Sequence, residues 1–125
     1  MSAEPLRTVG VPDAADDIAA ALAVAEDAVR PAERYLAAHR AALRVAADVL
    51  ARRRPRLRER VGIWTVLARV APELGEWAEY FAMVQLKVRA VDAGAVGIVG
   101  TREADDLVRD AHAFARAASL GESGA

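Results

Sequence analysis

Residues 32–50 read AERYLAAHRAALRVAADVL, and the fold follows from how that run is taken. Leu36, His39, Leu43, Ala46 and Leu50 recur at spacings of three and four, the pattern of a single stripe along one side of an α-helix. The run holds no glycine or proline, and it is rich in alanine, the strongest helix former. Pro31 suits a first helical position and Pro55 stops the helix. A helix with one apolar stripe must bury it, so the flanking sequence has to supply partner faces.

It does so on both sides. Upstream, Pro12 fits a first helical turn, Asp13, Asp16 and Asp17 complement a helix N-terminus, and Ile18, Leu22, Ala25 and Val29 form a stripe. This first helix ends at Pro31. Downstream, residues 52–60, RRRPRLRER, are too charged to pack and read as a frayed helix end and exposed loop. From Ile63 a third helical region runs to about Ala93, with Trp64 and Leu67 leading into a seam of Val70, Leu74, Trp77, Phe81, Val84, Val88 and Val91. Pro72 predicts a break or kink near Arg69 to Pro72. Residues 92–100, DAGAVGIVG, read as a connecting loop from which Ile98 and Val99 tuck against the bundle. No lysine with serine or threonine follows these glycines, so they are not a phosphate loop. Thr101 serves as an N-cap for a last helix whose stripe is Ala104, Leu107, Ala111, Phe114 and Ala118, with Gly121 at its end. The expectation is an all-α fold, an up-and-down four-helix bundle occupying residues 12–121, with a flexible arm at 1–11 and a short tail at 122–125.

Composition agrees. The chain has 125 residues, of which 54% are hydrophobic and 5% aromatic, enough for one core and one domain. It contains no cysteine, which excludes disulfides and thiolate chemistry. No charged start leads into an apolar run, and no apolar stretch approaches the roughly 18 residues of a membrane span. A soluble cytoplasmic protein with no membrane contact is expected. The net charge of −1 conceals a split: residues 30–69 carry eleven arginines against three carboxylates, and the remainder is acidic. Such a split points to an anionic partner or to contact between subunits.

Three groups of residues are candidates for chemistry. Arg34 and His39 have the spacing of an arginine and histidine pair in ribonucleases, but residues advance by about 100° along a helix, so His39 faces the seam while Arg34 lies roughly opposite it. Arg52, Arg53, Arg54, Arg56, Arg58 and Arg60 surround one proline with little to neutralise them. Each that reaches a phosphate adds a salt-dependent increment of affinity, and guanidinium planes stack on unpaired bases. Arg109, His112 and Arg116 form a small basic ridge on the last helix, a candidate anion contact, with Asp105 placed to pair with Arg109. The serines stand near the termini and no Glu-x-x-His pair is present, so neither a hydrolase triad nor a metal site is expected, and no cofactor is implied.

With the helices placed, AERYLAAHRAALRVAADVL, GIWTVLARVAPELGEWAEYF and TREADDLVRDAHAF together resemble the HEPN superfamily, the higher eukaryote and prokaryote nucleotide-binding domains, and within it a small stand-alone bacterial branch. The resemblance spans most of residues 15–120. It implies a helical bundle that pairs as a homodimer and either cleaves RNA without a metal or binds RNA or nucleotide. Active members carry arginine, a polar residue, then histidine four to six positions after the arginine, at the junction into the last helix. Here Arg89 and Arg102 have no such histidine, and His112 stands three residues after Arg109. The resemblance therefore implies a non-catalytic, homodimeric bundle that binds RNA, nucleotide or an anionic protein through the loop from Arg52 to Arg60. Two alternatives remain: a toxin-like ribonuclease using Arg34 and His39, or a structural adaptor for another protein.

Overall fold

A computed structural model describes residues 13–56, 60–95 and 97–124, with side chains up to residue 120. The N-terminal arm and Arg58 lie outside the described residues. The chain forms α1 (Ala14–Asp27), α2 (Pro31–Arg53), α3 (Ile63–Val70), a single 3-10 turn (Pro72–Leu74), α4 (Gly75–Asp92) and α5 (Thr101–Gly124). Among the described residues there are no strands. The all-α expectation holds, but the described residues form five α-helices, because the third region divides at Pro72. Proline supplies no N–H to continue the ladder, and Ala71 leaves helical geometry at φ −129° and ψ 75°.

The ends of the helices follow from local chemistry. Asp13 caps α1, its carboxylate accepting from the Asp16 N–H at 2.8 Å. The helix ends at Asp27, short of Pro31. Pro31 opens α2, and Arg54 closes it in the left-handed region at φ 47°, its N–H donating to the Leu50 carbonyl at 2.8 Å. Thr101 is the first residue of α5 rather than a cap before it, and the helix runs past Gly121 to Gly124.

α2 is the axis of the molecule. It packs chiefly on α5 and α1 and more lightly on α3 and α4. Its buried side is displaced from the leucine seam: Tyr35, Ala38, Ala42, Val45, Ala46 and Val49 are buried with His39, while Leu36, Leu43 and Leu50 only flank the core. Alanines on this side let neighbouring helices approach closely, and the volume they leave is filled from the other helices. Trp64 stacks on Phe81 at 5.2 Å, and Phe81 meets Phe114 at 5.1 Å. Trp77 lies against both phenylalanines. Phe81 and Phe114 have no solvent exposure, so this cluster joins α3, α4 and α5 through large apolar areas in favourable ring geometry. Of the two loop residues expected to tuck inward, Val99 is buried and Ile98 is exposed. No helix among the described residues is long and apolar enough to cross a membrane.

Candidate functional site

Arg34 and His39 go separate ways. His39 is buried in the core, its ring 6.2 Å from Trp64, and its Nε2 has no hydrogen-bond partner among the described residues. Burial pushes its pKa below the ordinary histidine value, Asp92 opposing this and Arg40 adding to it, so the charged form of the ring is disfavoured. Arg34 does not look out to water, as a helical wheel places it. Its side chain is only 19% exposed. Nη1 donates to the Glu26 carbonyl at 2.5 Å and to the Ala28 carbonyl at 3.3 Å, and Nη2 pairs with Asp105 of α5 at 3.0 Å.

The reason lies in the connection. Only Ala28, Val29 and Arg30 separate α1 from α2, so the start of α2 sits beside the end of α1, where carbonyls lack partners and the helix dipole is negative. α1 has no basic residue in its last turn, and Arg34 supplies the charge from the next helix. His112 closes the same corner from α5, its Nε2 lying 2.6 Å from the Glu26 carboxylate.

The other end of α2 repeats the device. Arg53 donates to the Val70 carbonyl at 3.0 Å, capping the end of α3, and forms an ion pair with Glu73. The hydrogen bond that Arg53 donates to the Glu73 carboxylate holds this exposed group below the ordinary carboxylate range. Arg52 pairs with Asp48 one turn back. Two of the six clustered arginines are thus engaged within the bundle. Arg54, Arg56 and Arg60 are each exposed beyond the end of α2.

The ridge on α5 is divided between neighbours. Arg109 pairs with Asp106 and Asp110, both at 3.2 Å, rather than with Asp105, which Arg34 has taken. Asp110 also accepts the Tyr80 hydroxyl at 2.6 Å; desolvation first, and this carboxylate second, push the Tyr80 pKa well above the ordinary phenol value. His112 turns to α1, and Arg116 is exposed. An open cleft of about 690 Å³ lies beside Arg109, between Tyr35, Tyr80 and the start of α5. Its carboxylates are engaged, Glu103 by Lys87 at 2.7 Å and Asp106 and Asp110 by Arg109. No group of three or more histidine, aspartate or glutamate side chains among the described residues is placed to hold a metal ion.

Across this arrangement, the family model described as SAV_6107-like HEPN matches residues 25–119. The chain belongs to this HEPN family. The match takes in α2 to α4 whole, the closing turn of α1 and nearly all of α5, so the Arg34 corner, buried His39 and the basic end of α2 all lie within the family region. No curated protein and no solved structure matches the chain. Sequence reasoning missed the two arginine straps. The available signal was the three-residue connection after α1, which places the first turn of α2 against open carbonyls.

Proposed function

We propose that this HEPN-family chain is a non-catalytic, homodimeric binding domain whose ligand is the phosphate backbone of single-stranded RNA. The observation that carries the reading is the contrast within the arginine cluster: Arg52 and Arg53 are bound to carboxylates, while Arg54, Arg56 and Arg60 stand exposed past the end of α2. Guanidinium groups on an irregular segment adapt to a flexible phosphate chain and release its counterions on contact. The sealed ring of His39 and the structural employment of Arg34 count against cleavage by that pair, since a general base must reach the proton it removes.

The test is fluorescence anisotropy of a labelled single-stranded RNA with the full chain, over a salt series. A single strand contributes a slope of about −0.7 per neutralised phosphate, so three arginines give a slope of about −2 in log affinity against log salt. The triple variant Arg54→Gln, Arg56→Gln, Arg60→Gln flattens it. Affinity and slope unchanged in that variant would remove the loop from the interface. RNA shortened by the wild-type protein but not by His39→Ala would replace the reading with a ribonuclease.

A further inference from the structure

α4 is apolar on two sides, and among the described residues only one of them is packed. Ala78, Phe81, Val84 and Val88 are buried in the bundle. On the opposite side Glu79, Met83, Leu86 and Ala90 follow one another at spacings of four, three and four, all exposed, within about 60° of one another around the helix. Met83 is 65% and Leu86 59% exposed. Single exposed apolar residues are ordinary, but two long ones on successive turns with alanines beside them form a seam of the kind that helices bury against each other.

The charges along this seam have a direction. Glu76 and Glu79 occupy its N-terminal half, and Arg89 flanks its C-terminal half. Lys87, also on that half, is turned aside to Glu103 on α5. A two-fold axis between Met83 and Leu86 lays the acidic half of one helix on the basic half of another. Met83 then meets Leu86 of a second copy, and Glu79 falls within reach of its Arg89. A parallel alignment sets Glu79 against Glu79, which is repulsive.

We infer that the outer face of α4 is a self-association surface, occupied by α4 of a second copy in antiparallel register. The occupant follows from the self-complementary order of charges, the signature of an isologous contact. This deepens the homodimer part of the proposed function and is independent of the RNA part. α4 is about 27 Å long, and one such helix pair buries less than the roughly 1,200 Å² of a standard stable interface. The pairing is therefore concentration-dependent.

The test is sedimentation velocity of the full chain across a wide concentration range, with circular dichroism confirming that each variant folds. Leu86→Glu is expected to weaken association by about tenfold or more. Glu79→Arg and Arg89→Glu each weaken it as well. Mixing these two variants restores it, because in the mixed pair both contacts regain opposite charge. Monomer at every concentration, or dimerisation untouched by Leu86→Glu, overturns the surface. Failure of the mixture to associate better than either variant alone overturns the antiparallel register. RNA titration of Leu86→Glu runs alongside, so that lost RNA binding with intact pairing, or the reverse, tells the two readings apart.

Discussion

Replacing Arg34 by methionine keeps the length and apolar stem of the side chain and removes its donors, which isolates the strap between α1, α2 and α5. A charged hydrogen bond contributes about 1.5–3 kcal/mol net. The Glu26 carbonyl lies in exposed surroundings, where water substitutes for a lost donor, so the lower end of that range applies. The longer contact to Ala28 at 3.3 Å adds a few tenths of a kcal/mol, as does the ion pair with half-exposed Asp105. The expected loss is about 2 kcal/mol. Urea unfolding followed by tryptophan fluorescence suits the measurement, because Trp64 is buried in the aromatic cluster. For a slope of about 2 kcal/mol per molar the midpoint falls by about 1 M. Arg34→Lys, which keeps the charge but has one donor head in place of the fork, recovers part of the difference. A methionine variant within about 0.5 kcal/mol of wild type would refute the strap and reopen Arg34 as a group held for another purpose.

Other consequences are equally direct. His39 has a native pKa below its unfolded value of 6.5, so its contribution is fully present above that value. Stability is lost as pH falls through 6.5 toward the native pKa, where the loss levels off; urea midpoints measured between about pH 7 and pH 5 should fall for wild type and fall less for His39→Leu. Phe114→Ala opens a cavity at the meeting of Trp64, Trp77 and Phe81 and should lower stability by about 3–5 kcal/mol in the same unfolding assay. Arg54→Gly relieves a non-glycine residue at φ 47° and should stabilise by about 0.5–1 kcal/mol. The same change should weaken RNA binding, so stability and affinity move in opposite directions.

The sequence made some of this legible for specific reasons. Periodicity located α1, α2 and α5, since an amphipathic helix in a bundle writes its packing into its spacing, and Pro72 announced the division between α3 and α4. His39 was legible as a core residue from its place on the seam. Arg34 was not, because a helical wheel knows only one helix, and the groups that hold this side chain belong to α1 and α5. Asp105 shows the same limit from the other partner: local spacing assigns it to Arg109, and the tertiary contact with Arg34 wins. The leucine stripe of α2 was nearly right but rotated, since alanines at 38, 41 and 42 count little in an apolar pattern and yet are fully buried. α4 concealed a second apolar side that only exposure distinguishes from the first.

Ala38, Ala41, Ala42 and Ala46 have no solvent exposure at all, which leaves the spine of the molecule almost no latitude. Trimming any of them to glycine sacrifices helix propensity of about 1 kcal/mol, and enlarging one to valine wedges apart neighbours already in contact, at about 1–3 kcal/mol. A designer wishing to retune this domain therefore has more latitude at its exposed rim, but must inherit the central column unchanged.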